Sequence, residues 1–362
     1  MLKPLLKTTL VLLLILTCWT GLISPSQAAS SRESRLPGGD PITDGEALLR
    51  YALPIDAPAL FKIQKDIESI SGPVRGRRWS AATSSLSEAN FLLTRRSDEI
   101  LASVPEEKLA EGEAYLTELN AELQELRDRV SEQERLPIFA AQAECLSTIG
   151  ALETLMVQGF PFEVPPEYSN LPQLKGRATV EMETEKGNAT MVVDGYNAPI
   201  TAGNFVDLVD RGFYDGLKVT RAEESYVVQL GDPPGPDDGF IDPDTGEYRA
   251  IPLEIKVKSD PDPVYEFTLE EIGLYREEPE LPFSAYGTLG MARPSNDPNG
   301  GSSQFFFFLF EPELTPAGLN LLDGEYAPFG YTVAGKDVLR ALKKGDRILS
   351  MKVTQGLENL EN

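Results

Sequence analysis

The pattern of apolar and polar positions divides the chain into two halves with different periods. Over residues 45–158, apolar side chains recur three and four residues apart, as at Leu116, Leu119 and Leu123. Over residues 178–184 and 190–194 they alternate with polar ones, on either side of a Gly187-Asn188 turn. The first spacing is typical of amphipathic helices and the second of half-buried strands. The sequence therefore predicts a helical bundle over 45–158 and an antiparallel β domain over 175–356.

The longest helical repeat predicts a seam that must pack against another helix. It consists of Leu109, Leu116, Leu119, Leu123, Leu126 and Val130. Pro137 begins a further helix that extends to about Gln158, and the SLSE sequence at 85–88 has the form of a capping box and predicts a helix start. Either the seam is the internal core of an antiparallel bundle or it forms an intermolecular coiled coil.

The second half predicts many short strands. They are expected around 217–220, 226–230, 251–257, 287–292, 304–310, 329–333 and 347–354, with helices over 199–213 and 335–342. This arrangement indicates an α+β multidomain chain whose second domain is a closed antiparallel β-barrel with two capping helices. Residues 159–174 contain four prolines and predict a stiff linker, and residues 357–362 predict a tail.

The first residues have the pattern of a signal peptide. Lys3 and Lys7 precede an apolar run over 10–16, and small residues follow at 26–28. We therefore assign 1–29 to a cleaved signal peptide and 30–44, rich in Ser, Gly and Pro, to a disordered segment. The alternative is an uncleaved membrane anchor. The assignment predicts an exported protein of the thylakoid lumen or the periplasm, without stable membrane insertion after cleavage.

The composition excludes several classes of function. The formal net charge of −24 disfavours nucleic acid and anionic lipid as partners, because both require a basic surface. The chain has no histidine, which excludes Ser-His-Asp and Cys-His catalysis and metal sites that need imidazole. We expect no metal and no cofactor. Cys145 is the one cysteine left after signal cleavage and is either a buried thiol or a redox sensor.

Two segments contain the candidate chemistry. Residues 213–232 read FYDGLKVTRAEESYVVQLGD, and residues 287–308 read GTLGMARPSNDPNGGSSQFFFF. They contain Arg221, Gln229, Gln304 and Phe306, which could converge on one small pocket. A fixed guanidinium beside an apolar cavity suits rotation about a peptide bond that precedes proline, a reaction that transfers no atoms between molecules.

These segments belong to a more extensive resemblance. Four ordered blocks, APITAGNFVDLVDRGFYDG, VTR…YVVQLGD, GTLGMAR…SSQFFF and LLDGEYAPFG, resemble the cyclophilins over roughly 177–355. Cyclophilins are peptidyl-prolyl cis–trans isomerases. Because a helical half and a signal peptide precede the blocks, the chain also resembles the multidomain cyclophilins of the thylakoid lumen.

The resemblance implies a role for each matching residue. Arg221 corresponds to the catalytic arginine and Gln229 to the glutamine that accompanies and orients it. The expected substrate-binding residues are Tyr226, Val227, Met291, Ala292, Arg293, Gln304, Phe306, Leu321, Leu322 and Tyr326. Four of them depart from the family pattern, since Tyr226 replaces a phenylalanine, Arg293 an asparagine, Leu321 a tryptophan and Tyr326 a histidine. Thr220, just before the arginine, also stands where the family commonly has a histidine. Tyr326 either keeps a polar rim or partly fills the pocket, and the acidic insert over 233–286 could lean over the groove.

Two functional hypotheses follow. In the first, the chain is a prolyl isomerase that acts on proline-containing exported proteins, among them subunits of photosystem II during assembly or repair. In the second, it is a catalytically weak or inactive peptide-binding or scaffold module, and autoinhibition by its helical domain is one way in which activity would be lost. Arg75, Arg77 and Arg78 form a basic patch that is either a solvated loop or a docking site for an acidic partner or for the acidic insert over 233–286.

Overall fold

The computed structural model of the chain describes residues 42–243, 245–309 and 321–361. The predicted signal peptide over 1–29 and most of the predicted disordered segment over 30–44 lie outside the described residues. Within the described ranges, no helix is both long enough and apolar enough to cross a membrane.

Helices occupy the first half of the described chain. They are α1 (Gly45–Tyr51), α2 (Pro58–Glu68), α3 (Ser71–Arg75), α4 (Trp79–Arg95), α5 (Ser97–Ala102), α6 (Leu109–Glu132) and α7 (Arg135–Met156). The long helices α6 and α7 pack against each other, and α2 and α4 complete the bundle. The reversal between α6 and α7 is made at Gln133, whose φ of 63° ends α6 in the left-handed conformation.

The predicted seam is the internal core of this bundle. Leu119, Leu123 and Leu126 are fully buried and belong to the same apolar cluster as Ile149 and Leu152 of α7. Cys145 lies in that cluster too, and burial raises the pKa of its thiol to about 12. Reactive cysteines are accessible thiolates, so the structure favours a buried thiol over a redox sensor.

The predicted helix start at residues 85–88 is wrong. Helix α4 begins six residues earlier than Ser85, at Trp79, and runs through the SLSE sequence. Ala82, Leu86, Ala89 and Leu93 are its buried positions, at spacings of four and three. The apolar stripe therefore continues upstream of Ser85, and burial of that stripe outweighs a local capping signal.

Helix α1 packs against the β domain rather than the interior of the bundle. Leu48, Leu49 and Ala52 form an apolar cluster that includes Tyr331 of the β domain. The amide Nδ2 of Asn197 donates a hydrogen bond of 2.9 Å to the carbonyl oxygen of Ala52. The two halves thus meet through a short helix that the sequence assigned to the bundle.

The β domain is built on one antiparallel sheet with two small accessory sheets. The strands are β1 (Gln173–Leu174), β2 (Arg177–Thr184), β3 (Gly187–Asp194), β4 (Arg221–Glu223), β5 (Val227–Leu230), β6 (Glu254–Ile255), β7 (Val264–Tyr265), β8 (Tyr286–Met291), β9 (Phe305–Leu309), β10 (Pro328–Ala334), β11 (Ile348–Gln355) and β12 (Leu360–Glu361). The large sheet has the order β11-β2-β3-β10-β8-β9-β5-β4. The pairs β1-β12 and β6-β7 stand apart from it.

The predicted closure of the barrel is not confirmed. Strands β4 and β11 are the two ends of the sheet and do not pair with each other. An isolated bridge joins Lys218 to Arg347, and the backbone N–H of Val219 donates to the carbonyl oxygen of Asp346. These contacts connect the chain before β4 to the start of β11, but the sheet itself is an open half-barrel.

Two helices pack against the sheet, α8 (Pro199–Asp210) and α9 (Lys336–Ala341), both shorter than predicted. The first turn of α8 donates hydrogen bonds to a buried carboxylate of strand β6. Glu254 accepts hydrogen bonds from the backbone N–H groups of Ile200 and Thr201 and from the hydroxyl of Thr201. These bonds supply acceptors for N–H groups that a helix start leaves unpaired.

The segments at the ends of the β domain pair with each other. Strand β1 lies within the predicted linker over 159–174 and pairs with β12, which lies within the predicted tail. The tail prediction is therefore wrong for residues 357–361, which form a short 3₁₀ turn and a strand. Both strands have only two residues, too few for a periodic pattern to be recognisable in the sequence.

Candidate active site

Four residues from four strands form one row across the large sheet. Arg221 of β4 is the register partner of Gln229 of β5, which is opposite Phe306 of β9, and Phe306 is opposite Gly290 of β8. Directly opposite residues of an antiparallel sheet project from the same face. The row therefore brings a guanidinium, an amide and a phenyl ring side by side.

The four phenylalanines over 305–308 show from which face of the sheet the row of Arg221, Gln229 and Phe306 projects. Phe305 and Phe307 belong to the interior core of the β domain, with Phe205 and Phe329. Phe306 and Phe308 belong to a separate apolar cluster on the other face. Strand alternation thus turns every second ring outward, and the row lies on the outer face of the sheet.

A cavity of about 130 Å³ opens beside this row. It is lined by Arg221, Tyr226, Val227, Gln229, Ala292, Arg293, Phe306, Leu322 and Tyr326. Pockets for drug-sized ligands have volumes of roughly 300–1,000 Å³, so this cavity suits a single small ring. All of its lining residues come from the β domain, and no described residue of the helical half covers it.

The guanidinium of Arg221 is held by two neighbours. Its Nε donates a hydrogen bond of 2.7 Å to Oε1 of Glu223, two residues along the same strand face. Its Cζ lies 5.6 Å from the ring centroid of Tyr226. The hydrogen bond to Glu223 raises the pKa of Arg221, which favours the charged form of the guanidinium.

The two predicted glutamines contact each other rather than the arginine. Nε2 of Gln229 donates to Oε1 of Gln304 over 2.8 Å. Gln304 in turn donates from Nε2 to Oδ1 of Asp232 and to the carbonyl oxygen of Asp238. In this structure Glu223, rather than Gln229, accepts a hydrogen bond from the guanidinium, and the orientation of Arg221 by its register neighbour Gln229 stays a prediction.

Tyr326 lines the cavity together with Phe306. Its ring meets that of Phe306 edge to face, with centroids 5.4 Å apart and an interplanar angle of 87°. Arg293 lies over the other side, with Cζ 5.0 Å from the ring centroid, and donates from Nη2 to the carbonyl oxygen of Glu325. Tyr326 is thus fixed between an aromatic ring and a cation.

Comparison with protein families gives two matches in sequence order. Residues 179–357 match the cyclophilin type peptidyl-prolyl cis-trans isomerase/CLD family, and residues 44–157 match the PsbQ-like domain of CYP38-like peptidyl-prolyl cis-trans isomerases. A Synechocystis protein named as a thylakoid lumen peptidyl-prolyl cis-trans isomerase is 53% identical over 90% of this chain and 86% of its own length. The chain belongs to the cyclophilin-type peptidyl-prolyl cis-trans isomerases.

Other cyclophilins show a graded similarity. The chloroplastic peptidyl-prolyl cis-trans isomerase CYP38 of Arabidopsis thaliana is 46% identical over 91% of this chain and 78% of its own length. A solved Cryptosporidium parvum cyclophilin, crystallised in the presence of the dipeptide Ala-Pro, is 23% identical with a TM-score of 0.36. That comparison covers 49% of this chain and 99% of the Cryptosporidium chain.

Three residues expected in the cyclophilin site do not line the cavity. Met291 is opposite Phe305 and packs into the interior core, because it follows Gly290 and points to the other face of β8. Leu321 is 92% exposed, whereas the neighbouring Leu322 packs with Phe306. Gln304 lies beside the row and reaches the cavity only through Gln229.

Two residues near the cyclophilin site were missed by sequence reasoning. Glu223 is two residues after Arg221 on a strand, and this spacing could have indicated that it shares a face with the arginine. Phe283 lies in the acidic insert and stacks on Phe306 with centroids 5.8 Å apart and an interplanar angle of 9°. No local pattern indicates this second contact, because it joins distant parts of the sequence.

The predicted basic patch lies far along the chain from the cavity residues. Arg75 is the last residue of α3, and Arg77 and Arg78 lie between α3 and α4; all three are exposed. Among the described residues none of the three forms a salt bridge, and Arg75 lies with Cζ 5.7 Å from the ring centroid of Phe139.

Proposed function

We propose that this cyclophilin catalyses cis–trans isomerisation of peptide bonds before proline in exported proteins, with Arg221 as the catalytic residue. The observation that supports the proposal most strongly is the sheet register, which aligns Arg221, Gln229 and Phe306 beside a cavity of small volume. The cavity takes the proline ring, and the guanidinium faces the peptide bond that precedes it.

The barrier to this rotation comes from amide resonance and amounts to roughly 18–20 kcal/mol. In the twisted transition state the proline nitrogen loses conjugation, becomes pyramidal and gains a lone pair. Arg221 donates a hydrogen bond to that lone pair, which is absent from the planar ground state, so the interaction lowers the barrier selectively. A reduction of about 4–7 kcal/mol corresponds to a thousandfold to hundred-thousandfold acceleration.

The apolar lining holds the ring and excludes water. Phe306, Leu322 and Val227 belong to one cluster, and Ala292 packs against it. A twisted amide is less polar than a planar one, so a dry environment disfavours the ground state more than the transition state. Glu223 and Tyr226 keep the guanidinium at the edge of this apolar surface.

The proposal is tested by the exchange rate of an Ala-Ala-Pro-Phe tetrapeptide, measured by NMR with the full chain. Arg221→Ala should lower kcat/KM by about 10²–10³-fold, the usual cost of removing one transition-state donor. Arg221→Lys keeps the charge but not the planar fork and should recover only part of the loss. Arg129→Ala, an exposed arginine of α6, is the matched control.

The same assay separates catalysis from scaffolding. Wild-type protein that binds the tetrapeptide but leaves its exchange rate unchanged would support the peptide-binding scaffold instead. The structure gives no support to occlusion of the cavity by the helical half, since the lining contains none of its described residues. Equal rates for wild type and Arg221→Ala would remove Arg221 from the catalytic role.

The location and the clients belong to the same proposal. The similar Synechocystis and Arabidopsis proteins are named as thylakoid lumen and chloroplastic isomerases, which supports the thylakoid lumen as the compartment of this chain. We assign lumenal segments of photosystem II subunits as clients on the basis of the resemblance to lumenal cyclophilins. Purified lumenal segments should exchange their proline bonds faster with wild type than with Arg221→Ala; equal rates would remove them as clients.

The patch of Arg75, Arg77 and Arg78 has a separate proposed role as a docking site for an acidic polypeptide. The patch presents three exposed guanidiniums that form no salt bridge among the described residues, in a chain of net charge −24. Such a patch attracts acidic partners and does so less strongly as salt is added.

A further inference from the structure

The ring of Phe306 lines the cavity and also stacks with a residue of the acidic insert. Phe283 is fully buried and lies nearly parallel to Phe306, and it meets Phe308 edge to face at 5.8 Å. These rings, with Val227 and Leu322, form a cluster separate from the interior core of the β domain. The position of the Phe306 ring therefore depends on its contact with Phe283.

Two further contacts place Phe283 at this position. A Cβ atom at Gly290 would lie 2.5 Å from Cζ of Phe306 and 2.9 Å from Cε1 of Phe283, so both rings rest directly on the glycine backbone of β8. The backbone N–H of Phe283 donates a hydrogen bond of 2.8 Å to Oδ1 of Asp323, which follows the cavity residue Leu322. Phe283 is thus attached to the floor and to one wall of the cavity.

The residues on either side of Phe283 face the helical half. Leu281 and Ala285 are buried in one cluster with Leu48 and Leu49 of α1. The hydroxyl of Ser284 donates 2.7 Å to the carbonyl oxygen of Ile42, just before α1. We call residues 281–285 the brace segment, because one side of it supports the cavity floor and the other side is covered by α1.

We infer that Phe283 is a positioning residue for Phe306 and that helix α1 holds the brace segment in place. This inference rests on the proposed function, since Phe306 forms the part of the cavity that is proposed to bind the proline ring. Without Phe283, the ring of Phe306 can tilt into the vacated volume, because a void leaves one face of its neighbour without contacts. The first helix of the chain thereby tunes substrate binding at a cavity that it does not touch.

The expected effect is on KM rather than on kcat. The proline ring stays in the cavity during the rotation. Greater mobility of Phe306 therefore weakens binding of the ground state and of the transition state equally. Loss of such uniform binding raises KM. Phe283→Ala should raise KM for the Ala-Ala-Pro-Phe tetrapeptide about tenfold to a hundredfold. The value of kcat should change by less than about twofold.

Three further variants keep the inference testable if Phe283→Ala does not fold. Phe283→Leu retains most of the volume and should recover much of the affinity. Leu49→Ala acts from α1 and should raise KM about threefold through the brace segment. Leu126→Ala removes an equally buried leucine from the bundle, away from α1, and should leave KM unchanged. A rise in KM for Leu126→Ala equal to that for Leu49→Ala would overturn the role of α1.

A readout without substrate distinguishes this inference from the proposed function. In protein with ¹³C-labelled phenylalanine, the ring of Phe306 should flip faster in Phe283→Ala than in wild type, and faster in Leu49→Ala than in Leu126→Ala. If Phe283→Ala and Leu49→Ala leave both ring flipping and KM unchanged while Arg221→Ala loses activity, the role of the brace segment is rejected and the proposed isomerase function stands. Faster flipping in a chain with no isomerase activity would keep the brace as a device for peptide binding.

Discussion

The helical bundle and the β domain use their apolar side chains in different ways. In the bundle, helices α2, α4, α6 and α7 each present one stripe to one shared core. In the β domain, strand β9 is covered on both faces, by the interior core at Phe305 and Phe307 and by the outer cluster at Phe306 and Phe308. The cavity is found on the outer face, where apolar side chains are not needed to fill the interior.

The difference indicates where substitutions should affect stability and where they should affect function. Each of these bundle helices presents its apolar stripe to the shared core, so truncation of a side chain within that stripe removes packing. A strand with two covered faces can place structural side chains on one and substrate-contacting side chains on the other. Substitutions in the bundle core should therefore change the free energy of unfolding, and those on the outer face of the sheet should change catalysis.

The largest effect on stability is expected for Leu119→Ala in α6. Leu119 is fully buried in the bundle core, and such a truncation costs about 2–5 kcal/mol of the free energy of unfolding. The transition of the helical half, followed by far-UV circular dichroism in urea, should shift accordingly. Below that transition kcat/KM should equal that of wild type, and a parallel loss of activity would contradict the division between core and site.

The next effect is expected for Gly290→Ala on the outer face. The new Cβ would lie 2.5 Å from Cζ of Phe306, so the ring must move toward the cavity or the strand must shift. Overpacking of this kind costs about 1–3 kcal/mol of stability, and here it should also raise KM. Gly72→Ala in α3 is the control, because no atom lies within 4 Å of its added Cβ. An unchanged KM in Gly290→Ala would show that the ring position is not critical.

A pH-dependent effect on stability is expected from two buried carboxyls. Glu153 of α7 is fully buried, neither of its carboxylate oxygens has a hydrogen-bond partner in the described structure, and burial raises its pKa from 4.5 to about 8. The folded state then binds more protons than the unfolded state between pH 4.5 and 8, so stability falls as pH rises across that window. The slope is at most about 1.4 kcal/mol per pH unit.

Glu153→Gln should flatten this dependence and stabilise the protein at pH 8, as judged from urea unfolding at pH 5 and pH 8. Glu254 is the comparison, since burial raises its pKa to about 7 although backbone N–H groups donate to it. Glu254→Gln should be destabilising, because its amide presents an NH₂ group to those donors. A pH dependence that persists in Glu153→Gln would assign the slope to other groups.

The smallest effect is expected from reversing the charge of the basic patch. Replacing Arg75, Arg77 and Arg78 by Glu should change stability by less than about 0.5 kcal/mol, because the side chains are exposed. Binding of an oligoglutamate peptide at low salt should nevertheless be lost. Lys343→Glu/Lys344→Glu is the control on the β domain. If the reversed patch still binds the peptide at low salt, the docking proposal fails.

The candidate site shows which contacts a sequence can reveal. Arg221, Gln229 and Phe306 were identified by their motifs, and the structure brings them into one row. Met291 was assigned to the site because it lies in the right motif, but strand alternation turns it into the core. Assigning its face required the register with Phe305, which the motif alone does not give.

The sequence by itself determined the two halves, the helical seam and the set of residues around the cavity. These follow from local periodicity and from short motifs, which act over a few residues. Only the tertiary structure decided three contacts. Glu223 accepts a hydrogen bond from Arg221, α1 packs against the β domain, and Phe283 stacks on Phe306. Except for Glu223, these contacts join residues far apart in the chain, and burial of matching surfaces selects them rather than any local conformational preference.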